Sequence, residues 1–147
     1  MPLKPPPVIS EFVGLYRFLS NFYPAVVQYK SNFYPTVEHA FQAAKCVNDV
    51  DRIRICSAKT PGMAKRLGRR INLRPEWESV KLDVMLELLR KKFRIPVLQI
   101  LLLNTYPAEL IEGNSWNDTY WGVNEFTGKG HNHLGKLLMQ VRLEMMS

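Results

Sequence analysis

The stretch Tyr34-Pro35-Thr36-Val37-Glu38-His39-Ala40-Phe41-Gln42-Ala43-Ala44-Lys45 constrains this chain more than any other. It reads as a helix with a sharp start. Thr36 is placed as the N-cap, because its hydroxyl can accept one of the N–H groups that a first turn leaves without an intrahelical partner. Pro35 pins the entry. Val37, Ala40, Phe41 and Ala44 then fall at helical spacing and form an apolar stripe. Glu38, Gln42 and Lys45 run along one edge of that stripe. Glu38 and Lys45 are seven positions apart, so they point nearly the same way, about 10 Å apart along the axis. Two readings follow. The pair is either a solvated flank of a core helix, or an acid and an amine at the border of core and solvent, where desolvation moves both pKa values toward neutrality.

With 147 residues, 46% of them hydrophobic, the chain has the length and composition of one ordered domain with a sizeable core. Residues 1–10 are expected to be a flexible proline-rich tail and 11–147 the domain. No apolar run reaches the roughly 20 residues that span a bilayer, since the longest, Ile95 to Leu103, is broken by Pro96 and Gln99. Lys4 is followed by three prolines and not by the apolar core of a signal peptide. Cys46 and Cys56 show no paired or metal-like spacing and read as reduced thiols. A cytoplasmic location is the expectation. The net charge of +7 suits an anionic partner, such as nucleic acid, a nucleotide or a sugar phosphate, or is general surface charge.

The pattern predicts an α+β class, mostly helical, with a few short strands. Ser10–Val13 and Ala25–Tyr29 read as strands, and Lys30-Ser31-Asn32 as a turn into a return strand at Phe33-Tyr34. Asn48 or Asp49 caps a second helix with Val50, Ile53 and Ile55 as apolar candidates. Thr60-Pro61 starts a third that Gly68 ends. The basic segment from Gly68 to Arg74 reads as exposed. The longest helix runs from about Pro75 to Phe93, with Trp77, Val80, Val84 and Leu88 in one row and Met85, Leu89 and Phe93 in the next. Val97–Leu103 is apolar nearly all round and is expected to be buried. Ala108–Glu112 reads as a short strand, and Gly113–His131 as a long polar loop of the functional kind. Asn132 caps a last helix with Leu134, Leu137, Leu138 and Val141 inward.

Several residues carry candidate chemistry. Gly128-Lys129-Gly130-His131-Asn132 leads into a helix N-terminus, either as a phosphate cradle or as a turn with a cap. The spacing from Gly122 and the Gly130 after Lys129 exclude a Walker A loop. His131 and His133 spell H-x-H, but no carboxylate or cysteine stands at ligand spacing, so no metal is expected. Trp77 either stacks on a base or belongs to the core, whereas Trp121, in a polar loop, is the better stacking candidate. Asp118 can hold a sugar hydroxyl, serve as a second acid, or be a turn residue. Lys45 can form a Schiff base with a carbonyl or pair with Glu38.

Taken together and in order, Leu19-Ser20-Asn21-Phe22-Tyr23, residues 34–45, Trp77-Glu78-Ser79-Val80-Lys81, Asn117-Asp118-Thr119-Tyr120-Trp121-Gly122 and Asn132-His133-Leu134-Gly135-Lys136-Leu137-Leu138-Met139 resemble the NADAR (YbiA-like) family over about residues 11 to 144. The resemblance implies an N-glycosidase, with no metal or redox cofactor. It implies a phosphorylated ribose substrate, either a ribosylamino-pyrimidine phosphate of riboflavin synthesis or ADP-ribose carried on guanine in a nucleotide or nucleic acid. By the same resemblance Glu38 is the catalytic glutamate and Lys45 the lysine that attacks the opened ribose. Asn21, Trp77, Asp118, Trp121, Gly122 and Asn132 match positions of the substrate pocket. Val123–Thr127 lengthens the loop after Gly122, and His131 stands where a lysine or glutamine is common. A non-catalytic basic module that binds ADP-ribose or nucleic acid is the alternative that charge and aromatic content allow.

Overall fold

The computed structural model describes residues 4–147; Met1, Pro2 and Leu3, the start of the expected tail, lie outside the described residues. In chain order the elements are β1 (Val8–Ile9), a 3-10 helix (Gly14–Leu19), β2 (Val27–Tyr29), β3 (Asn32–Tyr34), α1 (Val37–Ala44), α2 (Asp49–Cys56), α3 (Pro61–Gly68), α4 (Trp77–Lys92), α5 (Pro96–Leu103), β4 (Glu109–Leu110), β5 (Gly113–Asn114), β6 (Val123–Asn124) and α6 (His133–Met145). The class is α+β and mostly helical, as the pattern predicts. Two compact units carry these elements: Asn21–Lys92, and residues 4–20 together with Phe93–Ser147.

In the unit Asn21–Lys92, β2 and β3 pair antiparallel with Val27 opposite Tyr34 and Tyr29 opposite Asn32. Lys30 and Ser31 make the turn, Lys30 with a φ of 53°. The hairpin ends two residues before Thr36, whose extended backbone and side-chain oxygen, accepting the His39 N–H at 3.1 Å, start α1. All eight residues of α1 are buried. Asn48 caps α2 by accepting the Asp51 N–H at 2.9 Å, and Thr60 caps α3 by accepting the Met63 N–H at 3.1 Å. Only Ile55 of α2 is in the core; Val50 and Ile53, expected beside it, are exposed. Ile53 and Ile55 lie about 200° apart around a helix, so one face cannot take both. In α4, Trp77, Val84, Met85, Leu88 and Leu89 are buried as their spacing predicts, and so is Lys92.

In the other unit, β1 pairs parallel with β4, Val8 opposite Glu109 and Ile9 opposite Leu110. The first strand therefore forms ahead of the expected Ser10–Val13, because the carbonyls of Pro7 and Ile9 take the N–H groups of Glu109 and Ile111. Helix α5 buries Leu98 and Leu102 but exposes Val97 and Ile100, so the expectation of burial all round is corrected to one buried face. Leu134, Leu138 and Val141 face inward on α6. The helix packs close to β4: a Cβ at Gly135 would fall on the Leu110 carbonyl oxygen. The expected long loop contains the parallel pair β5 and β6, Gly113 opposite Val123 and Asn114 opposite Asn124. Among the described residues no helix is long and apolar enough to cross a membrane.

Candidate functional site

The expected site residues divide between the two units. Asn21, Glu38, Lys45 and Trp77 belong to Asn21–Lys92, and Asp118, Trp121, Gly122 and Asn132 to the other.

Glu38 sits in the first turn of α1 and is only 7% exposed, so the solvated-flank reading is corrected to a buried carboxylate. Its backbone N–H is one that the helix itself leaves without a partner; it donates to the Asn21 carbonyl at 3.1 Å. Its carboxylate accepts from the Gln42 side-chain amide, one turn on, at 2.8 Å. Asn21 is buried. Its side-chain N–H group points to the Met85 sulfur at 3.6 Å, and its side-chain oxygen has no hydrogen-bond partner.

Lys45 is the C-cap of α1 and is half-buried. Burial pushes its amine below the ordinary lysine value of 10.5; the negative charge of Glu38 opposes that, and Lys65, Lys81 and Arg69 reinforce it. The ammonium lies 5.7 Å from the centre of the Phe41 ring, and Phe41 meets Trp77 at 5.0 Å between centroids with the planes tilted by 56°. Trp77 is 3% exposed, so its ring serves as packing behind Phe41.

Arg74, which sequence reasoning placed in an exposed basic segment, closes the C-terminal end of α1. Its backbone N–H donates to the Lys45 carbonyl at 2.9 Å and its guanidinium to the Ala44 carbonyl at 3.3 Å, while Nε pairs with Glu76 at 2.8 Å. It satisfies carbonyls that a helix end leaves orphaned. No spacing rule announces this contact, which comes from 30 positions away. His39 is also structural: Nδ1 lies 2.8 Å from the Thr36 hydroxyl and Nε2 2.9 Å from the Ala58 carbonyl.

In the other unit, Asp118 is a turn residue at the least. Its Oδ1 accepts the backbone N–H groups of Tyr120 and Trp121 at 3.1 and 2.9 Å, and the Asn114 side chain bonds both its N–H and its carbonyl. Trp121, half-buried, meets Tyr120 edge-on at 4.9 Å and His133 at 6.4 Å. His131 stacks on His133 at 5.4 Å with 8° between planes. Gly122 is a close-approach position, where a Cβ would collide with the Glu112 side chain and carbonyl. Asn132 spends both ends of its amide on backbone, donating to Leu110 O and accepting from Glu112 N, each at 2.9 Å. It therefore begins α6 without a side-chain cap, at a φ of 51°.

The phosphate-cradle reading of residues 128–132 is overturned by the fate of its N–H groups. Those of Gly128, His131 and Asn132 donate to the carbonyls of Asn124, Thr119 and Gly122, and the first N–H groups of α6, on His133 and Leu134, donate to Tyr120 and Trp121. A cradle needs those donors free to face an anion.

A family model described as "NADAR domain" matches residues 11–146. The N-glycosidase YbiA of Shigella flexneri serotype 5b (strain 8401) is 43% identical over 133 residues, which covers 88% of this chain and 82% of the relative. The riboflavin biosynthesis protein PYRR, chloroplastic, of Zea mays is 36% identical over 152 residues, 90% of this chain but 24% of that longer protein. Among solved structures, the NMR structure of the E. coli protein YbiA superposes with a TM-score of 0.82 at 39% identity, covering 95% of this chain and 86% of that one.

Proposed function

The chain belongs to the NADAR domain family, and on that premise we propose that it is an N-glycosidase, a hydrolase that splits the bond between a ribose carbon and a base nitrogen in a small phosphorylated substrate. The observation that carries this reading is the pairing on α1 of a buried carboxylate, Glu38, with an amine, Lys45, whose pKa burial lowers. In the hydrolysis, the Glu38 carboxylate takes a proton from water as the water oxygen adds to C1′, and passes that proton to the nitrogen that departs as the C1′–N bond breaks, which returns Glu38 to its charged form. Lys45 either holds the ring oxygen of the sugar by its charge or, as the neutral amine, adds to C1 of the opened ribose while the base nitrogen leaves with a proton, giving an imine that water hydrolyses to the free sugar and the amine. Phe41, backed by Trp77, gives Lys45 a rigid support. The positive charges of Lys65, Lys81 and Arg69, which act on the same amine, suit a phosphate group.

A ribosylamino-pyrimidine phosphate is the first substrate, supported by the likeness to a riboflavin biosynthesis protein. ADP-ribosylated guanine is the second reading, favoured by the net charge of +7. The test is incubation with each substrate and mass detection of the released base and ribose phosphate, for the parent chain and for Glu38→Gln. The parent releases base from one or both, and Glu38→Gln loses turnover by about 100-fold or more while keeping its fold. Near-parental turnover by that variant rejects the assignment.

A further inference from the structure

Gln42 is a buried polar group bonded to Glu38, and no step above uses it. It is 4% exposed and sits one turn after Glu38, with its side-chain N–H group 2.8 Å from Glu38 Oε1. The other end of its amide is the puzzle. Gln42 Oε1 is buried and has no hydrogen-bond partner. An acceptor in that position carries a desolvation cost that nothing local offsets. It faces α3, where Gly68 is buried and a Cβ at Gly68 would fall inside the Gln42 carbonyl oxygen and side-chain carbon.

We infer that Gln42 is a positioning residue for Glu38, and that Gly68 is what leaves room for it to hold the orientation it needs. A primary amide has one donor end and one acceptor end. Only the donor end can face a carboxylate; the reversed amide would set two oxygens against each other in a buried, low-dielectric place. The acceptor end is thus turned toward α3, where a glycine alone accepts it. An apolar side chain at position 42 would bury as well and leave no orphan acceptor. The amide fits where a Glu38 oxygen must be held in one place with its charged form favoured.

The inference rests on Glu38 being the proton-handling group, and the experiment separates the two claims. Gln42→Leu, Gly68→Ala and the double variant are compared with the parent in turnover and in the pH profile of kcat/KM. A carboxyl ¹³C NMR titration, with the Glu38 signal assigned by its loss in Glu38→Gln, reads the same group without substrate. Gln42→Leu should lower kcat by about 10-fold or more with KM within about threefold, and raise the Glu38 titration by about one pH unit. Gly68→Ala should do the same in smaller measure by forcing the amide aside. The double variant should be no worse than Gln42→Leu, because both act through one hydrogen bond. A Glu38 titration that stays at its parental midpoint in folded Gln42→Leu overturns the inference, and so do additive losses in the double variant. Should Gln42→Leu not fold, the Gly68→Ala titration decides alone in the same way. If Glu38→Gln keeps full activity, the catalytic assignment fails; if it does not and the Gln42 variants are silent, only the positioning role fails.

Discussion

Thr36 and His39 are tied twice: the threonine hydroxyl accepts the His39 backbone N–H at 3.1 Å and lies 2.8 Å from the imidazole Nδ1. The cap and a buried ring that reaches the Ala58 carbonyl thus share one oxygen. Thr36→Ala should cost about 1–2 kcal/mol, the usual loss for an N-cap, which lowers Tm by about 3–8 °C in a chain of this size. Thr36→Ser, which keeps the hydroxyl, should stay close to the parent. Calorimetry of the three proteins checks both statements.

Lys45 carries a pH signature. Its folded pKa is below the ordinary 10.5, chiefly through burial, so the neutral amine becomes available as pH rises through that lowered value. Turnover that needs the amine as nucleophile therefore rises with pH and levels off before an ordinary lysine would. Lys45→Arg stays charged throughout and should lose about 100-fold or more in turnover. Borohydride added during turnover should leave a ribose-sized mass on Lys45. Its absence in single-turnover conditions would leave only the electrostatic role.

The two roles of Asp118 can be pulled apart. Asp118→Asn keeps an oxygen for the Tyr120 and Trp121 N–H groups that the carboxylate now accepts, so Tm should move by less than about 2 °C. Asp118→Ala leaves both donors without that acceptor and should cost about 1–3 kcal/mol. If the charge also orients ribose, both variants lose turnover to a similar degree. Turnover that follows Tm alone would confine Asp118 to the turn.

Lys92 predicts a pH-dependent stability. Burial pushes its ammonium down to about 7 in the folded chain, against an ordinary value of 10.5. Between those values the unfolded state binds more protons than the folded one, so stability rises with pH across the window, by up to ~1.4 kcal/mol per pH unit. Lys92→Met should flatten that rise and be at least as stable as the parent near pH 7. Denaturant melts of both proteins at several pH values measure it; equal slopes would contradict the prediction.

The helices were legible because their starts are chemical. Thr36, Asn48 and Thr60 each accept the N–H three residues on, as a capping residue at those positions must. Glu38 and Lys45 were legible as a pair because seven positions is two turns. What escaped the sequence has a common cause, contact between residues far apart along the chain. Gly68 backing Gln42, Arg74 capping Ala44 and the Asn132 amide bonded to Leu110 depend on neighbours 20 to 30 positions away. The parallel pair of β5 and β6 escaped for another reason: strands of two residues have no period to detect. Alternation and helical spacing also overstate burial, as exposed Ile53 and Ile100 show.

Helix α1 has no residue left on the surface. Most helices keep an outward face on which substitutions accumulate without consequence. Here each of the eight positions is hemmed in, down to the alanines at 40, 43 and 44, whose exposures are 4% or less. Random replacement over 37–44 would therefore have no permissive column. Mutational tolerance, which normally rises and falls every three or four residues along a helix, should be uniformly low there, and the segment that holds Glu38 should drift more slowly than the rest of the chain.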